Sequence, residues 1–283
     1  MKKNLALILS LLTCCIGYAL PVGDPAAASL FHQGVYIKKS CDDCSSWSFR
    51  TGFYGNYVFN RYLEIDDSQG RKGEIPTTKI NTNSGYLVLN FCDRVDLFSS
   101  IGASSLTLRY HRGIDSLVPT STPEQSAVFE TAFSWSIGGR ATLWKCRGFY
   151  LGLEGEYFCT SPEVKRLDLI NRFFYTDNTR VPYREWQIGL GTSYVLMMGC
   201  PTAQLVPYVA IKASRASLSN FSSLAENPGG SLSFVYVLPK LISQKSFGYV
   251  IGTTLALYDM IAITAEGRFG DEQALYINGQ FRF

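Results

Sequence analysis

From Trp186 to Ile211 the chain carries no charged side chain, a run of 26 residues. That is long enough to cross a bilayer, so the segment is either a membrane helix or membrane strands. Gly189, Gly191, Gly199, Pro201 and Pro207 are poor helix residues, and Gly199-Cys200-Pro201 reads as a turn that splits the run in two. The first part alternates: Trp186, Ile188, Leu190, Tyr194 and Leu196 share one parity, and Gln187, Gly189, Gly191 and Ser193 the other. A period of two is a strand signature.

The pattern returns elsewhere. Phe133, Trp135, Ile137, Ala141 and Leu143 oppose Ser134, Ser136, Arg140 and Thr142, while Phe149, Leu151, Leu153 and Tyr157 oppose Glu154 and Glu156. At the C-terminus Leu275, Ile277, Phe281 and Phe283 oppose Tyr276, Asn278, Gln280 and Arg282. One face is oily and the other wet. In lipid every backbone donor and acceptor must be paired, which strands achieve only in a sheet that closes on itself. The expectation is an all-β fold, a closed antiparallel transmembrane β-barrel with short periplasmic turns and longer outer loops, of about twelve strands within a range of roughly ten to fourteen. Aromatic content of 14%, charged content of 17% and 25 glycines fit many strands with aromatic belts and fit a helical protein badly.

Strand candidates fall near 46–62, 82–93, 95–111, 128–146, 147–160, 165–176, 183–198, 203–216, 231–245, 246–258, 260–271 and 272–283. The weakest is 165–176, where Lys165, Arg166, Asp168 and Arg172 spoil a lipid face; this stretch is the candidate for a loop folded over the mouth. Asp66–Gly73, Leu117–Gln125, Asp177–Pro182 and Ser219–Gly230 are turn-rich and read as outer loops.

Residues 1–19 have the layout of a cleaved secretory signal: Lys2 and Lys3, the apolar Leu5 to Leu12, and a small-x-small ending at Gly17-Tyr18-Ala19. Residues 20–45 then form an N-terminal arm with paired cysteines, and 46–283 the outer-membrane barrel. Without Lys2 and Lys3 the chain has 24 basic and 23 acidic side chains, so charge gives no reason to propose a nucleic-acid partner. Export makes the six remaining cysteines, Cys41, Cys44, Cys92, Cys146, Cys159 and Cys200, candidates for disulfides, with the pairing left open. Cys41 and Cys44 have the spacing of half a zinc site, but there is no second such pair and only two histidines, so no metal or other cofactor is expected. His111, in Tyr110-His111-Arg112-Gly113, has no adjoining serine, and no enzyme is expected.

With the oily face toward lipid, the pore-lining candidates are Arg109, Arg140, Glu154, Glu156, Lys212, Glu266, Arg268, Asn278, Gln280 and Arg282. Both signs occur, so a pore would select weakly among small diffusing solutes. The alternative is that the same Glu and Arg side chains pair with one another and brace a plugged, non-conducting barrel of a structural envelope protein or adhesin.

Six blocks of this chain resemble the major outer membrane porin family of the chlamydiae. They are Leu20-Pro21-Val22-Gly23-Asp24-Pro25-Ala26; Cys41-Asp42-Asp43-Cys44 with Ser46-Trp47 and Gly52-Phe53-Tyr54-Gly55; and Cys92-Asp93-Arg94-Val95-Asp96-Leu97-Phe98. Gly138-Gly139-Arg140-Ala141-Thr142-Leu143-Trp144-Lys145-Cys146, Tyr183-Arg184-Glu185-Trp186-Gln187 and the tail from Gly252-Thr253-Thr254 to Asn278-Gly279-Gln280-Phe281-Arg282-Phe283 complete the set. The resemblance implies a weakly selective porin in the outer membrane of a Gram-negative-type bacterium, a homotrimer or a partner of disulfide-linked envelope proteins, with Phe283 as its assembly signal. Family members are longer and carry further cysteines, one of them where this chain has Ser48.

Overall fold

The computed structural model describes residues 23–24, 26–28, 47–66, 74–111, 124–169, 172–176, 179–198, 203–228, 233–258 and 260–282. Ten strands make a closed antiparallel ring: β1 (Trp47–Arg61), β2 (Thr77–Phe91), β3 (Val95–His111), β4 (Ala132–Cys146), β5 (Phe149–Thr160), β6 (Tyr183–Tyr194), β7 (Ala203–Leu218), β8 (Phe247–Leu257), β9 (Ile261–Phe269) and β10 (Glu272–Arg282). Each pairs with the next in chain order, and β1 pairs with β10 through Arg50 opposite Arg282 and Gly55 opposite Ile277. The ring therefore has no free edge, which is what membrane crossing by strands demands.

The ring has ten strands, the lower bound of the expected ten to fourteen and not the central figure of about twelve. Two candidates lie outside the ring: 165–176 is the hairpin Val164–Leu169 with Arg172–Thr176, and 231–245 holds Ser233–Leu238 and Leu241–Ser243. Ser219–Gly230, expected as loop, contains the strand Phe221–Glu226. With Glu124–Phe129 these short strands build a tier above one end of the ring. Glu124–Phe129 pairs with the last turns of β3 and with Val164–Leu169, and Arg172–Thr176 pairs with Phe221–Glu226.

At the opposite end the connections are short. Cys92 and Asp93 take positive φ in the β2–β3 turn, and Arg147 (φ 47°) and Gly148 (φ 87°) form the two-residue turn between β4 and β5. Such turns match the twist of antiparallel hairpins. Short turns mark the periplasmic end of an outer-membrane barrel, and the tiered end is the outer one.

The alternation holds through the membrane band. Phe53, Phe133, Ile137, Ile211, Ile251 and Ile277 are exposed on the outside, while Ser100, Ser136, Glu154, Gln187, Thr254 and Asn278 are buried inside. Toward the outer end the code inverts. Leu106, Leu108 and Tyr110 on β3, Phe158 on β5, Tyr183 on β6 and Leu218 on β7 point inward, where they pack with Leu63, Ile75, Phe129, Leu167, Phe174 and Phe221 of the tier in one apolar core. Above the lipid the outside is wet, so the barrel end is built like a water-soluble one, with its grease inside.

Candidate functional site: the barrel lumen

The enclosed face between the outer core and the periplasmic mouth is lined by charged side chains from nearly every ring strand. Of the pore-lining candidates, Arg140, Glu154, Glu156, Lys212, Glu266, Arg268, Asn278, Gln280 and Arg282 lie on the inward parity, and all except the half-buried Arg140 are buried. Arg109 is corrected: it is exposed on the outer face, because its neighbours Leu108 and Tyr110 take the inward positions of the apolar core.

Two ionic clusters fill this space. Nearer the outer core, Arg61 donates to Asp271 at 2.8 Å, lies 3.1 Å from Glu185, and donates to Ser214 at 2.9 Å and Ser243 at 3.1 Å. Lys212 pairs with Glu272 and, at 3.1 Å, with Asp271; Arg268 pairs with Glu272 at 3.0 Å and with Asn56. Asp271 reaches this cluster because Gly248 leaves room: a Cβ there would collide with its carboxylate. Nearer the periplasm, Arg50 pairs with Asp96, Arg140 pairs with Glu154, and Asn90 donates to Asp96 at 2.7 Å. A tyrosine layer separates the two clusters: Tyr54 bonds Ser100 at 2.9 Å, Tyr86 donates to Asn278 at 3.0 Å, and the Tyr54 and Tyr276 rings lie 5.5 Å apart.

Gly23, Asp24 and Ala26 to Ala28, from the expected N-terminal arm, sit inside the periplasmic half. The Gly23 N–H donates to Glu266 at 3.0 Å, and Glu266 also accepts from Tyr208 at 2.7 Å. Asp24 folds the segment into a turn by accepting from the Ala26 N–H at 2.8 Å. Arg50 donates to the Ala27 carbonyl at 3.0 Å and Asn90 to the Ala28 carbonyl at 3.0 Å, while Ala26 packs against Tyr150, Val206, Ala256 and Ala262. Gly23 has φ 60° and stands against Arg140 where a Cβ would clash. Burial pushes the Asp24 carboxyl up to about 6. Between the two clusters a cavity of about 30 Å³ remains beside Tyr54, Tyr86, Arg140 and Glu154, the room of roughly one water.

Among the cysteines, Cys92 and Cys146 are free thiols at the periplasmic turns, and Cys159 is a free thiol near the outer end of β5. Cys41, Cys44, Cys200 and Phe283 lie outside the described residues. The sequence did not flag the insertion of Gly23–Ala28 or the roles of Arg50, Arg61, Asp96, Glu185 and Asp271. Arg50 and Arg61 do share the inward parity of Tyr54 and Asn56 through the register shift near Val58, a signal available once the strand bounds are known.

A closed sheet with an oily outer band, a polar interior and aromatic residues at its rims defines an integral outer-membrane β-barrel. The chain belongs to the Chlamydia major outer membrane protein family, whose model matches residues 1–80, 115–176 and 231–283. It is 29% identical to the major outer membrane porin, serovar E, of Chlamydia trachomatis, over 94% of this chain and 95% of that protein. It is 28% identical to the major outer membrane porin of Chlamydia muridarum and 29% to that of Chlamydia psittaci, with the same coverage. The alignment with the serovar E protein runs to 378 positions against 283 residues here, so the relative carries insertions. Among solved structures, the translocator domain of the autotransporter NalP from Neisseria meningitidis covers 91% of this chain and 92% of its own at a TM-score of 0.43 and 10% identity, too remote a likeness to carry an argument. The protein is thus an outer-membrane barrel of porin type.

Proposed function

We propose that this protein is an outer-membrane porin for passive, weakly selective diffusion of small solutes and ions, held closed in the state described by its own N-terminal segment and its outer core. The observation that carries this reading is the lumen lining: both signs of charge on the enclosed face, in a chain whose relatives are named porins. A lining of nearly balanced charge favours neither cations nor anions strongly. Opening requires Gly23–Ala28 to leave, because that segment fills the periplasmic half, and requires the outer tier to part from the mouth.

The second reading is a barrel that braces the envelope and does not conduct. It is favoured by the Arg61 cluster, whose charges bond to one another across the lumen. Planar-bilayer recording decides between them. A porin gives discrete conductance steps that become more frequent when residues 20–28 are deleted, whereas silence of both proteins at every voltage removes the porin reading. The proposed envelope role rests on Cys92 and Cys146, free at the periplasmic rim, as points of disulfide linkage to a second copy or to other envelope proteins. Non-reducing electrophoresis of Cys92→Ser and Cys146→Ser variants tests it through loss of cross-linked bands.

A further inference from the structure

Across the described residues of the ten ring strands, the outward faces carry four charged side chains, Lys79, Arg109, Arg184 and Arg215, and no Asp or Glu. All four stand near the outer ends of their strands. The periplasmic ends carry Trp47, Phe49, Phe91, Phe149, Tyr194 and Phe281 on the same outward parity, with no charge. Lys145, the nearest cation at that end, instead sits over the inward-facing Tyr150 ring at 5.0 Å. The wall is therefore electrically lopsided, positive at one lipid boundary and neutral at the other.

Arg184 and Arg215 stand side by side. In the β6–β7 register Arg184 lies opposite Ser217 and Trp186 opposite Arg215, so the two arginines are diagonal neighbours on one face. Diagonal positions lie about 7–8 Å apart, within reach of long side chains. One step toward the membrane centre come Ile188 and Ala213, then Leu190 and Ile211, the last 66% exposed on the lipid wall. Three other cations of the tier are matched: Arg180 with Glu163 at 2.8 Å, Arg166 with Asp168 at 2.8 Å, and Lys165 with Glu130 at 3.6 Å. Arg184 hydrogen-bonds the Cys159 thiol on the neighbouring strand, and among the described residues no ion pair with a carboxylate is formed by Arg184 or Arg215. Two adjacent guanidinium groups repel unless an anion sits between them, and at a lipid boundary the anion at hand is a headgroup.

We infer that Arg184 and Arg215 form a lateral binding site for a phosphate-bearing lipid of the outer leaflet. The guanidinium fork suits phosphate oxygens, and the partner's acyl chains run down the wall over Ile188 and Ile211. Arg184 also lies opposite Cys159 in the β5–β6 register, and Cys159 borders a groove of about 410 Å³ with Phe133 and Trp135 on its floor. Glu130 and Glu163 also line that groove, so it suits an acyl chain lying over Phe133 and Trp135, with the phosphate kept to the arginines. The site lies on the outer wall at the lipid boundary, away from the lumen, and does not depend on whether the barrel conducts.

The test takes the mature protein in detergent micelles, adds bis-phosphorylated lipid A, and counts retained lipid by native mass spectrometry. Each basic residue at a membrane surface is worth about 1 kcal/mol, so Arg184→Gln/Arg215→Gln should bind roughly thirtyfold more weakly. Dephosphorylated lipid A should lose a comparable factor against the unaltered protein. Arg184→Lys/Arg215→Lys should retain part of the binding, and Lys145→Gln, inside the periplasmic mouth, should match the unaltered protein. Equal retention of the two lipid A forms, full binding by the glutamine variant, or displacement by an equal concentration of inorganic phosphate would each overturn the site. Heat-modifiable migration on a gel confirms that each variant barrel is closed; should the glutamine variant fail to fold, the comparison of the two lipid forms still decides.

Discussion

The two halves of the lumen solve the same problem, filling a ten-strand ring, with opposite chemistry. The outer half is packed by aliphatic and aromatic side chains from the ring and the tier, among them Leu108, Leu167, Phe158 and Leu241, each at most 2% exposed. The middle and periplasmic part is packed by ion pairs and by the inserted segment Gly23–Ala28. The difference follows from what lies outside the wall at each level. Where the outside is lipid, the enclosed face is the only place for polar groups; where the outside is water, the enclosed face is the only place for apolar ones. An apolar core is hard to wet, whereas a lumen of charges with a removable segment is a place where water and ions can enter.

Breaking the ionic half at its centre should have the largest effect. Arg61→Met removes the cation shared by Glu185 and Asp271, leaving the buried Glu185 without an ion pair and Asp271 with Lys212 alone, at a cost of about 3–5 kcal/mol. The unfolding midpoint in denaturant, followed by loss of heat-modifiable migration, reports it. Breaking the apolar half at one side chain should cost somewhat less: Leu108→Ala opens a cavity and destabilises by about 2–5 kcal/mol, with no new conductance, because the neighbouring apolar wall stays dry. A conducting Leu108→Ala channel would erase the contrast between the halves.

The inserted segment gives smaller and sharper tests. Asp24 ionises near 6 when docked against an ordinary value of 3.8, its carboxyl held up by burial although Arg140 and hydrogen bonds oppose this. The docked segment therefore binds the proton more tightly than the free one. Docking is strongest below about pH 4, weakens as pH rises toward about 6, and is constant above that. The shift corresponds to about 3 kcal/mol as an upper bound. Openings in bilayers should become more frequent from pH 4 to pH 6, and Asp24→Asn should flatten the profile. Gly23→Ala, strained by its positive φ and by contact with Arg140, should loosen docking by about 1–2 kcal/mol and raise opening frequency at fixed pH, with at most a matching small fall in the unfolding midpoint.

Much of the band was legible because lipid imposes a strict alternation. The faces of Phe133–Leu143, Phe149–Tyr157 and Leu275–Arg282 follow the parity read from the sequence. Arg109 was placed inward by the rule that polar residues line the lumen, yet at its level Leu106, Leu108 and Tyr110 hold the inside, and the rule runs backwards. The stretch 231–245 does form strands, but strand character does not say to which ring a strand belongs. The charges of 165–176, by contrast, had already marked it as a candidate to fold over the mouth, and it is a hairpin of the tier. The inserted Gly23–Ala28 was illegible for another reason: its partners Arg50, Asn90 and Glu266 come from three strands far along the chain, and no local pattern encodes such a meeting.

Arg61 carries an implication for assembly. Its guanidinium is ringed by groups at positions 185, 214, 243 and 271, so its shell gathers the middle and end of the chain around a residue of the first strand. A partly zipped ring, with β10 not yet joined to β1, would hold that cation short of partners in a space already walled from water. Such intermediates are poor resting places, and insertion should therefore proceed from open sheet to sealed cylinder in one concerted step.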